Sequence, residues 1–318
     1  MRALVILGIW SLFIPFSTLA TAHAGDAGRS GLFGDIRLGG GIVSVRPSGL
    51  EVLDDNERRD NLASRGSRQS EGLVLLGAEL GYTFKETGTT LLAGIGTESP
   101  FTVSLRHEVG GVGELTLCAL YEKKEVWRNP YLVGVNRSRT DAESVGFALN
   151  WERILGTGAR LVFEQMNVEI EDDLIGQLES DLRRDGRDTT LGLGYSWDLG
   201  TGGVLSPSLS HTWIDREGDS NRGCEYVAEL KHLLGVGSLI FATRLELKQT
   251  DFDRAHPIFH KKREETAYGI SEFISFAEPF GFKDWSLFGF VAIGATDSNI
   301  SFFDNSILLS GTGLGYKF

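Results

Sequence analysis

Cysteine, methionine and proline are scarce in this chain: its 318 residues include two Cys, two Met and seven Pro. A small secreted fold held together by disulfides needs more cysteines than two. Cys118 and Cys224 also fall in strands that we place far apart. We therefore interpret both as small, half-buried residues rather than as parts of a disulfide framework.

Long apolar runs and an excess of basic residues are missing as well. After residue 24 the chain has no stretch of about 18 uncharged apolar residues, which excludes a transmembrane helix. Backbone groups in lipid must be hydrogen-bonded within the protein, so such a chain crosses a membrane only as a closed β-barrel. The formal net charge is −12, which is unfavourable for binding nucleic acid.

The N-terminus has the three parts of a secretory signal peptide. Met1 and Arg2 precede an uncharged apolar run over residues 3–16, and small residues follow as far as the Ala-His-Ala ending at 22–24. This pattern predicts cleavage after Ala24. The predicted organisation is a signal peptide over residues 1–24 and a single domain over residues 25–318.

Apolar and polar residues alternate with a period of two along much of the chain, as side chains do in β-strands. Leu191, Leu193 and Tyr195, for example, alternate with Gly192 and Gly194. The same alternation marks residues 101–106, 143–151 and 205–213.

Two kinds of connection separate the strands. Short, Gly-rich turns, where Gly adopts positive φ at little cost, lie at 85–88, 109–113, 155–158, 199–203, 234–237 and 279–281. Longer, charged connections lie at 46–70, 125–140, 171–188, 215–221, 251–265 and 297–304. One tight turn, Glu98-Ser99-Pro100, stands where a long connection is expected.

This order of turns and loops predicts fourteen strands, with both chain ends on the side of the short turns. The strands are expected to begin near Phe33, Gly72, Thr89, Phe101, Glu114, Glu143, Arg160, Thr189, Val204, Gly223, Ser238, Thr266, Trp285 and Asn305. A soluble sandwich would also alternate. The strand count and the aromatic residues at strand ends favour an all-β fold, a transmembrane antiparallel up-and-down barrel of about 14 strands, with 12 as the alternative.

The last strand ends on an aromatic residue. Leu314, Tyr316 and Phe318 share one face of it, and Gly and Lys occupy the other. This ending resembles the assembly signal of Gram-negative outer-membrane β-barrels. The resemblance implies an outer-membrane location with both termini periplasmic, and the barrel-assembly machinery and outer-membrane lipid as partners.

A second resemblance lies at the start of the domain. Gly31-Leu32-Phe33-Gly34 and Leu38-Gly39-Gly40-Gly41, followed by an acidic loop, resemble an uncharacterised proteobacterial family of outer-membrane-type proteins. That resemblance implies no active residues.

If the apolar face of each strand meets lipid, the other face lines the interior and carries charged residues. These are Arg106, Glu108, Glu114, Glu122, Glu152, Glu225, Glu229, Lys231, Arg244, Glu246 and Lys248. Opposite charges on neighbouring strands are expected to form a cross-strand ladder. Charged interiors suit either a water-filled channel, which sorts solutes by charge, or a closed structural barrel.

Catalytic and metal sites are weakly indicated. His107, His211 and His232 share the lipid-facing parity, and Ser206, Ser208 and Ser210 lie on the face opposite to His211. His256 and His260 have the spacing of a helical metal pair, but Pro257 and the loop setting disfavour it. We therefore predict no catalytic residues, no metal and no cofactor.

The external loops carry two basic clusters, Arg183-Arg184 and Lys261-Lys262-Arg263, that suggest lipopolysaccharide phosphates as a partner. The segment 46–70 is the best candidate for folding inward, although no loop is long enough to identify a constriction. The function favoured by the sequence is a porin-like passive channel for small polar solutes. The alternatives are a non-conducting structural or surface-interaction barrel and a membrane-embedded hydrolase.

Overall fold

The computed structural model describes residues 31–318 apart from 54–55, 64–65, 97–98 and 202, with the backbone alone at 99–100. The predicted signal peptide, residues 1–24, lies outside the described residues. The described chain is mostly β-strand, because residues with a two-residue apolar alternation run between short Gly turns. The strands are β1 (Gly31–Arg46), β2 (Gln69–Phe84), β3 (Thr89–Gly96), β4 (Ser99–Val109), β5 (Gly113–Trp127), β6 (Arg139–Glu152), β7 (Ala159–Ile170), β8 (Gly186–Tyr195), β9 (Trp197–Asp198), β10 (Gly203–Arg216), β11 (Gly223–Val236), β12 (Leu239–His256), β13 (Lys261–Ala277), β14 (Trp285–Ser298) and β15 (Asn305–Lys317).

These segments close into a barrel of fourteen strands. Each pairs antiparallel with its neighbour in sequence, and β8 and β9 are two parts of one barrel strand because both pair with β10. The ring closes where β15 pairs with β1, from Ser306 opposite Arg46 to Lys317 opposite Asp35. The predicted fourteen-strand antiparallel barrel and the pairing of its first and last strands are confirmed.

The observed strand starts agree with the predicted ones to within a few residues. The largest differences are at β6 and β13. β6 begins at Arg139 rather than near Glu143, and β13 begins at Lys261 rather than near Thr266. The added residues are mostly polar, so they lack the alternation on which the prediction depended. We call the end of the barrel with the long connections the loop end, and the other the turn end.

The outer surface of the barrel is a belt of exposed apolar side chains. Leu38, Leu76, Leu193 and Leu314 are among many that alternate with inward-facing residues. A closed barrel with such a belt is the form in which strands satisfy their backbone groups within lipid. No helix among the described residues is long and apolar enough to cross a membrane.

Part of the inner surface is apolar as well, which the sequence prediction missed. The inward residues of β12 to β15, β1 and β2 form a packed cluster of Val43, Leu73, Leu75, Ala242, Phe273, Phe288, Ala292, Ile307 and Leu309. The rings of Phe273 and Phe288 stack at 5.8 Å. A Cβ at Gly313 would overlap the Phe288 ring, so glycine on β15 makes room for this cluster. We call this side of the interior the apolar wall.

Candidate functional site

Charged side chains line the inner surface from β4 to β12, which we call the polar wall. On β4 and β5, Arg106 lies 3.9 Å from Glu114. Arg153, at the turn end, lies 3.0 Å from Glu114 and 3.7 Å from Glu108. Carboxylates from two neighbouring strands, β4 and β5, thus lie close to two guanidinium groups.

Two more acids extend the polar wall. Glu152 lies opposite Glu114 on the neighbouring strand β6. Glu122 lies 3.6 Å from Lys124 of the same strand, towards the loop end. The polar wall thus carries charge at both ends of β5.

The densest charge cluster lies on β11 and β12. Arg244 is 2.5 Å from Glu229 and 2.8 Å from Glu246, and Lys231 is 3.0 Å from Glu229. Lys248 lies 3.1 Å from Glu225 one step further along. The cluster is therefore a network centred on the Arg244 guanidinium.

The expected ladder of opposite charges directly facing each other is wrong in its register. Glu229 lies opposite Glu246, and Lys231 lies opposite Arg244, so like charges face each other. The ion pairs form diagonally and along the strands because long side chains reach the next position on the neighbouring strand. Parity in the sequence locates these residues on one face but does not specify the register.

The side chains of the polar wall fall into two groups, one buried and one partly exposed to solvent. The side chains of Arg244 and Glu246 are 9% and 3% exposed, next to the apolar wall. Lys231 and Arg106, further round the barrel, are 29% and 27% exposed. Solvent therefore reaches the interior on the side of the polar wall, and the apolar wall is packed.

The segment that follows β1 closes over the loop end. The residues from Pro47 to Ser48 and from Glu51 to Leu53 are buried, whereas Glu57 and Asp60 are exposed. The first half of this segment, which was predicted to be the best candidate for folding inward, is thus buried. Arg137, before β6, fixes the segment: its guanidinium donates to the carbonyl oxygens of Gly49 at 2.7 Å and of Asn56.

An aromatic cluster completes this cover, which we call the cap. The Tyr131 hydroxyl is 2.9 Å from Nε2 of His256, and the Tyr131 and Phe302 rings lie 5.1 Å apart. Phe259 and Phe303 pack against the same group. The cap therefore joins the loops after β1, β5, β12 and β14. The sequence held one signal for it, the adjacent pair Phe302-Phe303, which breaks the alternation of apolar and polar residues.

Glu51 is the buried carboxyl of the cap. Its Oε2 accepts from the Ser48 N–H at 2.8 Å, its Oε1 accepts from the Asn305 side chain at 2.9 Å, and its carbonyl accepts from the Trp127 indole at 2.9 Å. Burial raises the pKa of Glu51 to about 8, although these hydrogen bonds and the Arg59 charge oppose the shift. Burial also lowers the pKa of Arg137, to about 9, with the Arg59 charge acting in the same direction.

Packing of the cap is expected to weaken as pH rises from about 4.5 to about 8. The pKa of Glu51 is higher in the packed cap than the ordinary 4.5, so the packed form holds the proton. The contribution of Glu51 to the stability of the packed cap is complete below about pH 4.5. It is lost as pH rises through 8, at up to about 1.4 kcal/mol per pH unit. Limited proteolysis of the 47–59 segment across this range measures the effect.

Glu51→Gln should make the proteolysis rate independent of pH, because the amide stays neutral. Glu57→Gln, at an exposed position of the same loop, is the matched control and should keep the wild-type pH profile. A Glu51→Gln variant that retains the wild-type profile would assign the pH dependence to another group.

His211 forms no Ser–His pair with the serines next to it in β10. His211 packs on the outer face between Trp213 and Tyr226, with ring centroids at 4.2 and 4.5 Å. The Ser208 hydroxyl instead donates to Glu229 at 3.4 Å inside the barrel. Among the described residues, no group of three or more His, Cys, Asp or Glu could hold a metal ion.

Two of the basic loop residues considered for lipopolysaccharide are engaged within the protein. Arg184 lies 2.7 Å from Asp173 and donates to the Trp127 carbonyl at 2.8 Å. Arg263 is buried, with its guanidinium 3.4 Å from the centroid of the Phe252 ring. These contacts engage both side chains, whereas Arg183, Lys261 and Lys262 are exposed.

The chain end forms part of the barrel seam. The Gly34 N–H donates to the Phe318 carbonyl at 2.9 Å, and the Phe318 N–H donates to the Gly34 carbonyl at 3.0 Å. Leu314, Tyr316 and Phe318 are exposed on the outer belt. Tyr316 packs against Trp285, with ring centroids 5.1 Å apart.

A family model matches residues 31–317, the whole of the barrel. The chain belongs to the family described as "Protein of unknown function (DUF2860)". The suspected membership of an uncharacterised family is thereby confirmed. A comparison with curated proteins found no match.

Solved structures of similar fold are outer-membrane barrels. The "CymD monoaromatic hydrocarbon channel" matches with a TM-score of 0.50 and 11% identity, covering 100% of this chain and 95% of that one. A Pseudomonas aeruginosa FadL homologue matches with a TM-score of 0.44 and 11% identity, over 94% of this chain and 92% of that one. The anion-selective porin from Comamonas acidovorans matches with a TM-score of 0.43 and 12% identity, over 90% and 98%. At this identity the first likeness bears on the fold alone: this chain has the fold of bacterial outer-membrane barrels.

Proposed function

We propose that the protein is a porin-like passive channel of the outer membrane for small polar solutes. One observation carries the proposal: the charged side chains of the polar wall are partly exposed inside a closed barrel. Water that reaches Arg106, Lys231 and Lys248 supplies a route along which a polar solute keeps its hydrogen bonds. Rings of such charges sort solutes by charge.

The orientation that we propose places the turn end, with both termini, in the periplasm. Short turns on the periplasmic side and longer loops outside are the rule for barrels of this kind. In this orientation the cap covers the external mouth and restricts passage. Outer-membrane lipid and lipopolysaccharide, and the barrel-assembly machinery during insertion, are the proposed partners.

Osmotic swelling of liposomes that contain the purified protein tests the channel. Arabinose should enter and swell these liposomes faster than protein-free ones. The rate should fall for larger sugars, because fourteen strands enclose a narrower lumen than the 16–18 strands of open porins. Swelling no faster than that of protein-free liposomes, at pH 5 and at pH 9, would contradict the proposal. The two pH values cover the packed and the weakened cap.

A non-conducting structural barrel is the second candidate function, and the cap is the observation that favours it. Arg137 is 1% exposed and Phe302 is 0% exposed, so the loops at the mouth pack like a protein core. A barrel of this kind presents a rigid external surface and passes no solute. Swelling experiments separate the two functions directly, and lipid turnover in the same preparation would instead indicate a hydrolase.

A further inference from the structure

Three polar side chains lie side by side on the outer face of β11, β12 and β13. His232 is directly opposite Thr243, and Thr243 is directly opposite Glu272. They face outward, because the next residues along these strands, among them Arg244 and Phe273, belong to the interior. All three side chains are partly exposed. We call these three residues the polar row.

The polar row lies near the middle of the apolar belt rather than at its edge. On β13 the outward residues from the turn end are Phe276, Ile274, Glu272, Ile270 and Tyr268. Glu272 is thus two outward positions, about 13 Å of strand, from either aromatic residue. The apolar band of such barrels is about 25 Å tall, so this carboxyl lies well inside the hydrocarbon. The flanking outward residues on the two other strands are Leu230, Leu234, Phe241 and Leu245.

Other outward carboxyl groups lie where strands approach the loops. Glu143, Asp251 and Glu264, for example, belong to the loop-end parts of β6, β12 and β13. Their side chains lie near the level of lipid headgroups and water. Glu272 lies further from that level, and ionisable side chains at its depth are costly unless a polar partner faces them.

Contacts within one copy of the chain satisfy the polar row only in part. The Thr243 hydroxyl donates to Oε2 of Glu272 at 2.6 Å. Within the described part of the chain, neither Oε1 of Glu272 nor the His232 imidazole has a hydrogen-bond partner. Polar groups in hydrocarbon lose free energy when they lack a partner, so a partner from outside this chain is expected.

A second copy of this chain supplies polar groups at the required depth. Copies that insert in the same direction hold each residue at the same depth in the bilayer. Phospholipid headgroups, in contrast, lie at the two edges of the hydrocarbon. Three neighbouring strands span about 10 Å, a width along which two convex barrels can touch.

A two-fold axis along the membrane normal makes the polar row complementary to itself. Thr243, the middle residue, then lies next to the axis and meets its own equivalent. The half turn exchanges left and right, so His232 of each copy faces Glu272 of the other. An imidazole N–H donates and a carboxyl oxygen accepts, so the contact is made twice.

We propose that the outer face of β11, β12 and β13 joins two copies of this barrel within the membrane, through reciprocal hydrogen bonds between His232 and Glu272. Around the polar row, Leu245, Ile270 and Ile274 are 43%, 47% and 39% exposed and supply the apolar part of the contact. The pairing goes beyond the proposed channel. It requires a barrel in a membrane and holds whether or not solutes pass through the lumen.

Exchange of the two residues tests the proposal. Glu272→His sets imidazole against imidazole, and His232→Glu sets carboxyl against carboxyl. Each should lower the dimerisation constant about tenfold, because two equivalent hydrogen bonds within the membrane are lost. The double variant His232→Glu, Glu272→His restores both pairs and should regain wild-type dimerisation. Single-molecule photobleaching of labelled barrels in lipid vesicles counts the copies at a series of protein-to-lipid ratios.

Leu117→His is the matched control, because Leu117 is 52% exposed on the outer face of β5. It should dimerise like the wild type. Monomeric wild-type protein at every ratio would overturn the proposal, and so would wild-type dimerisation of Glu272→His. A double variant as weakly associated as the single ones would also overturn it. Phospholipid that copurifies with a monomeric wild type, but not with Glu272→His, would overturn it in favour of a lipid headgroup.

Chemical cross-linking covers the case in which an exchanged variant does not assemble. Thr243→Cys, in a chain with Cys118→Ala and Cys224→Ala, places one thiol of each copy beside the axis. Facing sheets are too far apart for a direct disulfide, so a short bis-maleimide is used. It should join Thr243→Cys barrels into covalent dimers and leave Leu117→Cys barrels monomeric. Equal cross-linking of both variants, or none at Thr243→Cys, would overturn the proposal.

Discussion

Deleting Phe318 is expected to lower the equilibrium constant for closing the seam about thirtyfold, and so to reduce the amount of membrane-inserted barrel, because two seam hydrogen bonds together contribute about 2 kcal/mol. Both bonds join Phe318 to Gly34 across the closing strands. A Cβ at Gly34 would overlap the Phe318 ring, so the terminal residue also packs on the seam. Heat-modifiable migration of the outer-membrane fraction measures the folded barrel.

Two variants control for the loss of an aromatic residue. Phe280→Ala removes a ring that is 87% exposed in the turn before β14 and should leave assembly unchanged. Phe318→Tyr keeps the ring and both backbone bonds and should assemble normally. Export across the inner membrane should be the same for all variants. Normal assembly of the deletion variant would refute the role that we assign to the chain end.

Replacing Arg244 by Met is expected to lower the free energy of unfolding by about 3–5 kcal/mol, because it leaves buried carboxylates without their counter-charge. The guanidinium lies within 2.5 Å of Glu229 and 2.8 Å of Glu246, which face each other across β11 and β12. Urea unfolding of the barrel in lipid vesicles measures the change.

Lys123→Met is the matched control for this prediction. Lys123 lies 2.9 Å from Asp141 and 3.0 Å from Glu143, but its side chain is 46% exposed on the outer surface. Its loss should cost about 0–1 kcal/mol. The triple variant Arg244→Met, Glu229→Gln, Glu246→Gln should regain most of the stability. An equal loss of unfolding free energy in Arg244→Met and Lys123→Met would show that the stabilisation by the Arg244 network does not depend on its burial.

The barrel was predictable from the sequence because each membrane-crossing strand is specified locally. The alternation of Leu191, Leu193 and Tyr195 with Gly192 and Gly194 places one face outward without reference to any other strand. Gly-rich turns then set the strand count. The short connection Glu98-Ser99-Pro100 was also visible in the sequence. That β2 and β5 extend beyond β3 and β4 at the loop end, however, depends on the register of four strands.

The packed parts of the interior and the cap were not predictable in the same way. Ile307 and Leu309 have the same parity as Gly311 and Lys317, so the sequence shows that the inward face of β15 is partly apolar. The cluster that they join, however, spans six strands. The buried contact of Glu51 with Asn305 joins residues 254 apart in sequence. Contacts of this kind follow from loop packing, for which a two-residue period carries no information.

Single-channel recording of the purified protein in planar lipid bilayers tests the central claim most directly. We expect stepwise current in symmetric salt, with the channel open more often at pH 9 than at pH 5, because the packed cap retains the Glu51 proton. A correctly folded barrel that carries no current at any voltage, at either pH, would contradict the claim that this protein is a channel.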